Sequence, residues 1–180
     1  MIISLLQDLE NQSIARGLPI IGREKGTWLW NKVKELQPER ILELGTANGY
    51  SGSILGSEGA ELLTIELNPA LAREAEENFA KFSINARVTE GDAVEEVLRL
   101  AQNKSNRESF DLIFIDFAKN KYIDVLDNCI KLVKKGGFII ADNITMERCQ
   151  DFKQAVLKHP QLKTEIIEIK DGLSCSERIR

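Results

Sequence analysis

Four polar residues follow apolar runs of the sequence, and their types could form a metal site beside a base. Asp116 ends one apolar run, and Asp142 and Asn143 follow the next one. Carboxylate and amide oxygens suit a hard divalent cation, with waters or substrate oxygens completing its shell. Lys119 lies three residues after Asp116, and a lysine beside a cation loses its proton more readily. This group could therefore hold a metal ion next to a general base.

Three of the four residues also have an ordinary structural interpretation. Asp116 and Asp142 could cap the helices that follow them, and Lys119 could be a solvated surface residue. Taken one at a time, these interpretations are as good as the chemical ones. The occurrence of all four residues together favours the metal site.

A glycine-rich segment at residues 41–52 has the sequence ILELGTANGYSG. Its apolar start predicts a buried strand. Gly45, Gly49 and Gly52 predict a turn that a ligand can approach closely. The helix that follows would point backbone N–H groups at that ligand. A strand, a glycine turn and a helix start together form a cradle of nucleotide size.

The spacing of the glycines narrows the choice of nucleotide. A dinucleotide fingerprint needs G-x-G-x-x-G, and a phosphate loop needs Gly-Lys-Ser/Thr; Ala47 stands at the second glycine position, and no such lysine follows. Glu43 would repel a pyrophosphate but would form an acidic lip for a cationic amino acid. The pattern E-x-G-x-x-x-G-Y-S resembles the first motif of S-adenosylmethionine (SAM)-dependent methyltransferases. A glycine turn that merely closes a strand–helix unit is the alternative.

The elements that would position these residues alternate between strands and helices. Strands are predicted at residues 41–44, 61–67, 86–89, 110–117 and 138–141. Helices are predicted at residues 4–16, 23–36, 68–82, 93–101, 121–134 and 147–158. Asn68 and Pro69 suit the start of the third helix, and Lys135-Gly136-Gly137 would stop the fifth.

This alternation predicts an α/β fold with a doubly wound, mostly parallel sheet and helices on both faces. Two further strands, at residues 164–169 and 173–179, flank Asp171-Gly172. That dipeptide predicts a two-residue hairpin. The hairpin would add an antiparallel edge and complete a seven-stranded, Rossmann-like sheet.

Ligands of parallel α/β sheets bind outside the carboxyl ends of the strands, and polar residues stand there. Glu66 ends the second strand and is placed to accept hydrogen bonds from ribose hydroxyls. Gly91 and Asp92 close the third strand. Asp92 could accept from an adenine amino group or cap the helix at residues 93–101, and the two roles are compatible.

Length and composition indicate one soluble domain over residues 1–180, with N-terminal helices in residues 1–36 packing on it. Apolar residues make up 43% of the chain and charged residues 29%, which is ordinary for a soluble protein. No apolar run approaches the roughly 18 residues that span a bilayer. Asp8 and Glu10 interrupt the N-terminal apolar segment, so no signal peptide is expected. We expect no membrane partner.

Charge and cysteine content favour a cytoplasmic protein. The net charge of −4 argues mildly against a large nucleic-acid footprint. The three cysteines, Cys129, Cys149 and Cys175, are widely spaced. They fit neither a disulfide framework nor a zinc site, which indicates a reducing compartment.

Longer segments of the chain resemble a known family. FDLIFIDFAKNKY and GGFIIADN are similar to the cation-dependent O-methyltransferases of the catechol and caffeoyl-CoA O-methyltransferase type, which are class I SAM-dependent methyltransferases. The resemblance covers about Ile20 to Asn143 and includes IIGREKG ahead of the glycine turn. It returns at Asp171-Gly172-Leu173.

The resemblance implies a role for each matching residue. The residues implied in SAM binding are Ile21 (at the methionine end), Glu43, Gly45, Thr46, Ser51, Glu66, Gly91, Asp92 and Asp116. Asp116, Asp142 and Asn143 would hold Mg²⁺ or another divalent cation such as Mn²⁺ or Ca²⁺, and Lys119 would be the catalytic base. The cation would bind two neighbouring oxygens of the acceptor and lower the pKa of one hydroxyl. Methyl transfer to that oxygen would leave S-adenosylhomocysteine.

The chain departs from the family on the side that would face the acceptor. Only residues 144–146 separate Asn143 from the next predicted helix, where many relatives have a longer covering segment. Ser174 stands where catechol-type relatives can have an acid. A small acceptor with vicinal hydroxyls remains the leading hypothesis, and a homodimer is possible.

Other functions compete with this hypothesis. An open acceptor side would also suit a hydroxylated uridine in tRNA, with Lys119, Lys121 and Arg148 as candidate contacts. A SAM-binding protein without catalysis is a further alternative, although it would not need all four residues of the metal group. A nicotinamide oxidoreductase is disfavoured by the glycine spacing.

Overall fold

The structure is a computed structural model that describes residues 2–180. Its strands form one seven-stranded mixed sheet with helices around it, in the order β3-β2-β1-β4-β5-β7-β6. The predicted fold class is therefore confirmed. The chain divides into two compact units, which meet in sequence at Gly91 and Asp92. Within residues 2–180, every helix is too short or too polar to cross a bilayer.

The first unit ends at Gly91 and contains three parallel strands. Its strands are β1 (Arg40–Leu44), β2 (Glu61–Glu66) and β3 (Ala86–Glu90). Its helices are α1 (Ile2–Leu5), α2 (Gln7–Ala15), α3 (Gly22–Leu36), α4 (Tyr50–Leu55) and α5 (Pro69–Lys81). In this unit β2 pairs in parallel with both β1 and β3.

The helix predicted at residues 68–82 forms as α5, and its start follows from local chemistry. The side chain of Asn68 accepts hydrogen bonds from the backbone N–H groups of Ala70 and Leu71, and Pro69 is the first helical residue. By contrast, the single helix predicted at residues 4–16 is broken at Leu6 into α1 and α2.

The second unit begins at Asp92 and contains the antiparallel part of the sheet. Its strands are β4 (Phe110–Ile115), β5 (Val133–Asp142), β6 (Leu162–Ile167) and β7 (Leu173–Arg178). Its helices are α6 (Ala93–Gln102), α7 (Tyr122–Leu132) and α8 (Gln150–Lys158). In this unit β4 and β5 are parallel, and β7 pairs antiparallel with β5 and β6. Within residues 2–180, four short 3₁₀ helices occur, at Gly56–Glu58, Lys104–Asn106, Lys119–Lys121 and Glu147–Cys149.

The helix predicted at residues 121–134 is shorter than expected, because its last residues belong to β5. Phe110 pairs with Val133 and Leu112 pairs with Phe138, so two steps along β4 match five along β5. A Cβ on Gly137 would lie 2.8 Å from the carbonyl oxygen of Asp111. The glycine pair thus allows an irregular strand to approach β4 closely, and the prediction that it stops a helix was wrong.

The hairpin between β6 and β7 has a longer loop than the two residues predicted. Ile167 pairs with Leu173, which leaves residues 168–172 in the connection. The carbonyl oxygen of Asp171 accepts from the backbone N–H of Thr145 at 3.0 Å and from its hydroxyl at 2.9 Å. The loop is longer because it packs on the segment that follows β5.

Candidate active site

The glycine turn of the first unit connects β1 to α4, as the sequence predicted. Gly45 and Gly49 adopt left-handed φ values of 94° and 87°, which glycine reaches without steric cost. The N–H of Gly45 donates to the carbonyl of Ile65 on β2 at 3.0 Å, and the N–H of Gly49 donates to the carbonyl of Thr46 at 2.9 Å. The turn is therefore fixed to the sheet and closed on itself.

Glu43 lies beneath this turn and is not an acidic lip at the surface. Its side chain is completely buried. One carboxylate oxygen accepts from the hydroxyl of Ser51 at 2.6 Å, and the other accepts from the hydroxyl of Thr64 at 2.7 Å. The Thr64 hydroxyl also lies 2.5 Å from that of Thr46. Glu43 thus ties the turn, the start of α4 and strand β2 together.

The close packing around Glu43 predicts a large effect of a methyl group at Gly52. A Cβ there would lie 2.7 Å from Phe79 and 2.8 Å from a carboxylate oxygen of Glu43. We expect Gly52→Ala to lower the free energy of unfolding by about 1–3 kcal/mol, as overpacking typically does. Urea unfolding measures this change.

Gly26→Ala, in α3, is the matched control for Gly52→Ala. The three atoms nearest to a Cβ at Gly26 would all belong to side chains, the nearest being the Ile54 methyl at 3.0 Å. Alanine also has the higher helix propensity, by about 1 kcal/mol. Gly26→Ala should therefore be neutral or stabilising, and equal losses in the two variants would contradict the prediction.

Glu66 is held at the carboxyl end of β2 by two backbone groups. Its carboxylate oxygens accept from the N–H of Ala47 and from the N–H of Asn68, each at 2.8 Å. A carboxylate has about four acceptor sites, so two remain for further donors. This orientation suits the predicted contact with ribose hydroxyls.

Two more predicted cofactor residues lie in the first unit. Ile21, directly before α3, has 4% of its surface exposed. Gly91 follows β3, and its N–H donates to the carbonyl of Glu66 at 2.9 Å. The contacts predicted for Ile21 and Gly91 with the cofactor stay predictions.

Asp92 caps α6, which confirms the structural interpretation offered for it. Its side chain accepts from the N–H groups of Val94 at 2.8 Å and Glu95 at 3.3 Å. The ammonium of Lys121 lies 3.1 Å from its second oxygen. Burial raises the pKa of Asp92, but the hydrogen bonds from Lys121 and the two N–H groups outweigh it and lower the pKa overall. The predicted adenine contact would therefore be made by a carboxylate.

Removing the Lys121 ammonium should lower the free energy of unfolding near neutral pH and make it less sensitive to acid. A lowered pKa in the folded state contributes stability above the ordinary aspartate value of about 4, and this is lost as the pH falls. Lys121→Met raises the folded-state pKa of Asp92 towards its unfolded value, so less stability is present near neutral pH and less is lost as the pH falls. We expect the free energy of unfolding to differ from wild type by less than about 1 kcal/mol, because the ion pair is partly exposed.

Urea unfolding between pH 3 and pH 6 measures this effect. The control is Lys131→Met, because the Lys131 ammonium contacts the neutral amide of Asn128. If the free energy of unfolding of Lys121→Met had the same pH dependence as that of the wild type, the ion pair with Lys121 would not lower the pKa of Asp92.

In the second unit, Asp116 and Lys119 are brought together as the sequence predicted. The Lys119 ammonium contacts a carboxylate oxygen of Asp116 and lies 3.1 Å from the hydroxyl of Tyr122. The Tyr122 ring stacks on Phe117 with centroids 5.4 Å apart and meets Phe152 edge-on at 5.5 Å. The lysine is thus held by one acid and one firmly packed tyrosine.

Asp142 and Asn143 follow β5 on the same unit. Asp142 is 2% exposed, and its carboxylate accepts from the N–H of Asn143 at 2.7 Å. Asn143 adopts a left-handed φ of 57°, and its amide nitrogen donates to a carboxylate oxygen of Asp171. Since the nitrogen is occupied by Asp171, the amide oxygen is the atom that could bind a cation.

The charges of Asp116 and Asp142 act on the same neighbours. Burial raises the pKa of the Tyr122 hydroxyl well above its usual range, and both carboxylates raise it further. Burial likewise raises the pKa of the Cys149 thiol, and the same two carboxylates add to this while Lys119 opposes it. Ile115 of β4 pairs with Ala141 of β5, so the two carboxylates follow paired positions at neighbouring strand ends.

The donor set of this environment fits a hard divalent cation. Across residues 2–180, no three His, Cys, Asp or Glu side chains form a group that could hold a metal ion. The predicted set uses two carboxylates and one amide, which is compatible with that finding. Oxygen donors of this kind suit Mg²⁺ with several waters retained.

Three residues of the second unit escaped the sequence analysis as parts of this site. Tyr122 was visible as the residue three positions after Lys119, a spacing at which helical side chains meet. Cys149 approaches the carbonyl oxygen of Lys119 at 3.9 Å, and Asp171 orients Asn143. Cys149 is 30 residues from Lys119 in the sequence, and Asp171 is 28 residues from Asn143. Neither contact therefore had a local sequence signal.

Comparisons with known proteins place this architecture in a family. A profile described as "O-methyltransferase" matches residues 3–179. The chain is 33% identical to a catechol O-methyltransferase B of Danio rerio over 87% of its length, and covers 64% of that protein. It is 33% identical to a catechol O-methyltransferase of Sus scrofa over 73% of its length, and covers 74% of that protein.

Solved structures agree on the fold. An O-methyltransferase of Bacillus cereus in complex with S-adenosylhomocysteine superposes with a TM-score of 0.87 at 23% identity, covering 97% of this chain and 90% of that one. The resemblance stated from the sequence is confirmed by the profile and by the relatives. The chain belongs to the O-methyltransferase family.

Proposed function

We propose that the protein is a SAM-dependent O-methyltransferase that needs a divalent cation and methylates a small acceptor with two neighbouring hydroxyls. The observation that supports the proposal is that Asp116 and Lys119 are in contact after β4, while Asp142 and Asn143 follow the paired end of β5. A methyltransferase family fold alone would not require this combination of oxygen donors and a lysine.

The first unit supplies the features that a SAM site needs. Its glycine turn leaves the backbone open to close approach, and Glu66 is fixed by two N–H groups with acceptor sites remaining. SAM carries a sulfonium, an ammonium and no phosphate. A turn that rests on the buried carboxylate of Glu43 therefore suits SAM better than a nucleotide phosphate.

Asp116, Asp142 and Asn143 would hold the cation in the second unit. A divalent cation bound there supplies positive charge that lowers the pKa of an acceptor hydroxyl and fixes a pair of oxygens. Asp171 has a supporting role, because it binds the amide nitrogen of Asn143 and so orients the oxygen. Partners of this kind commonly set the orientation of a ligand.

Lys119 would take the proton from the acceptor hydroxyl. Its amine is already placed between the Asp116 carboxylate and the Tyr122 hydroxyl. The packed Tyr122 ring limits the movement of that amine, which favours proton transfer in one geometry. The oxygen left negative would then attack the methyl carbon of SAM, and the bond between that carbon and the sulfur would break to leave neutral S-adenosylhomocysteine.

The acceptor class is inferred from the donor set and from the relatives. Two oxygens that bind one cation are typical of catechols, and the relatives described above are catechol O-methyltransferases. The segment after Asn143 is short, and Met146 within it is 43% exposed. A short segment would leave the acceptor side open to substrates larger than a single ring.

Isothermal titration tests the proposal in two steps. SAM should bind the wild type, and caffeate should then bind only with both Mg²⁺ and S-adenosylhomocysteine present. SAM binding without Mg²⁺-dependent caffeate binding would favour another acceptor, such as a hydroxylated uridine in tRNA. A failure to bind SAM would overturn the methyltransferase proposal.

A further inference from the structure

We infer that helix α2 is a coupled part of the cofactor turn, so that docking of this helix and occupation of the turn by SAM stabilise each other. The inference rests on the proposed function, because it takes the turn at Gly45–Gly49 as the cofactor site. It concerns residues that the proposed chemistry does not use.

Helix α2 meets the rest of the first unit through polar side chains as well as apolar ones. Glu10, Ser13 and Arg16 are spaced by three residues, which places them along one side of the helix. Glu10 and Ser13 are buried. Buried polar side chains are stable only with specific partners, so their contacts fix where the helix docks.

Ser13 is hydrogen-bonded to a residue inside the glycine turn. The amide nitrogen of Asn48 donates to the Ser13 hydroxyl at 2.8 Å, and that hydroxyl donates to the carbonyl of Leu9 at 2.6 Å. Asn48 is completely buried and stands between Gly45 and Gly49. Helix α2 thus holds the turn through the side chain of Asn48, which belongs to the turn.

Polar residues on either side of Ser13 pair with two other helices. The guanidinium of Arg16 donates twice to Glu74, at 2.5 and 2.9 Å, and Glu74 also accepts from Asn48 at 3.4 Å. At the other end, Glu10 accepts from Arg23 at 3.2 Å. The anchoring of Asn48 is therefore shared between α2 and α5.

The residue next to Asn48 shows why the turn needs this support. Ala47 has a φ of 46°, a left-handed conformation that is disfavoured for residues other than glycine. Such conformations persist only where the surroundings hold them. The N–H of Ala47 donates to Glu66, so the same backbone geometry also orients the predicted ribose acceptor.

The packing around the glycine turn has features that limit its stability, so extra stabilisation by a bound cofactor should be measurable. Within residues 2–180, the amide oxygen of Asn48 and the hydroxyl of Tyr50 are buried without a hydrogen-bond partner. Unpaired buried polar atoms weaken the packing that contains them. If docking of α2 raises the affinity for the cofactor by some factor, cofactor binding must favour the docking of α2 by the same factor.

Hydrogen exchange of the backbone amides in α2 tests the coupling without an activity assay. In the wild type, saturating S-adenosylhomocysteine should slow exchange in residues 7–15. In Ser13→Ala this protection should shrink, and the dissociation constant for S-adenosylhomocysteine should rise about fivefold, as expected for one lost hydrogen bond.

Ser57→Ala is the matched control. The Ser57 hydroxyl also donates to a backbone carbonyl, that of Ile54 at 2.8 Å, but it lies outside the turn. This variant should keep the wild-type affinity for S-adenosylhomocysteine. Equal affinity losses in the two serine variants would overturn the inference.

A second variant separates positioning from general stability. Glycine adopts the φ of Ala47 without strain, so an Ala47→Gly background should reduce the affinity loss caused by Ser13→Ala. The loss of melting temperature caused by Ser13→Ala should stay the same in that background. If Ser13→Ala reduced the affinity for S-adenosylhomocysteine as much in the Ala47→Gly background as in the wild type, Ser13 would not act through the conformation of the turn.

The failure of this inference is distinct from the failure of the proposed function. Wild-type binding of S-adenosylhomocysteine with unchanged exchange in α2 would overturn the coupling and leave the cofactor site intact. No binding of S-adenosylhomocysteine to the wild type would overturn both.

Discussion

Asp142→Asn should abolish Mg²⁺-dependent binding of caffeate and lower methyl transfer by on the order of a thousandfold. The substitution removes one of two carboxylates from the proposed cation site. Charge stabilisation by a cation is worth several kcal/mol in such reactions, and each 1.36 kcal/mol is tenfold in rate. Titration of caffeate with Mg²⁺ and S-adenosylhomocysteine, followed by turnover with SAM, measures both effects.

The asparagine variant is chosen because it preserves the local structure. Its amide oxygen can still accept the hydrogen bond that Asp142 takes from the N–H of Asn143 at 2.7 Å. The matched control is Asp111→Asn, which removes a carboxylate near the start of β4 that pairs with Lys134 at 2.6 Å. The control should bind caffeate normally.

Retention of Mg²⁺-dependent caffeate binding in Asp142→Asn would show that this residue is not a ligand. A loss of SAM binding in the same variant would point to a disturbed fold and not to the cation site. The expected pattern is intact SAM binding with no response of caffeate binding to Mg²⁺.

The parts of the fold that the sequence predicts well depend on local interactions. The start of α5 follows from Asn68 and Pro69, which act within one helical turn of the chain. The alternation of strands and helices is likewise a local pattern of hydrophobicity. It was sufficient to predict the doubly wound sheet and its antiparallel edge.

The predictions that failed concern residues whose partners lie on other elements. Gly136 and Gly137 have the composition of a helix stop, but Gly137 is required by the approach of β5 to Asp111. Asp171 and Gly172 have the composition of a two-residue turn, but Asp171 is bound to Asn143 and Thr145. Composition alone cannot distinguish these uses.

The candidate site shows the same division between local and distant contacts. Asp116 and Lys119 are three residues apart, and their contact was predictable from spacing. The burial of Glu43 was not, because its partner Thr64 is 21 residues away on β2. The sequence therefore suggested that Glu43 is exposed beside the glycine turn, although its carboxylate is buried and stabilises the turn.

Lys119→Met should lower the turnover number by about a hundredfold to ten thousandfold, the range typical for loss of a general base. The amine is the group that removes the proton from the acceptor hydroxyl in the proposed reaction. Methionine keeps the length of the side chain but can neither hold nor take a proton. Binding of caffeate with Mg²⁺ and S-adenosylhomocysteine should persist, so the loss appears in turnover.

Lys119→Arg distinguishes a base from a fixed positive charge. Arginine keeps the charge and can still donate to Asp116 and Tyr122, but its guanidinium stays protonated at any pH the protein tolerates. If Lys119 takes the proton, the arginine variant should be nearly as slow as the methionine variant. If Lys119 supplies only charge, the arginine variant should keep most of its activity.

Lys131→Met is the control for both variants. Lys131 lies in α7, and its ammonium contacts the side chain of Asn128 at 3.0 Å, so its removal should leave turnover unchanged. Single-turnover measurements with SAM and caffeate isolate the chemical step from product release. A slow methionine variant beside an active arginine variant would remove Lys119 from the role of base, because the positive charge alone would then account for the rate.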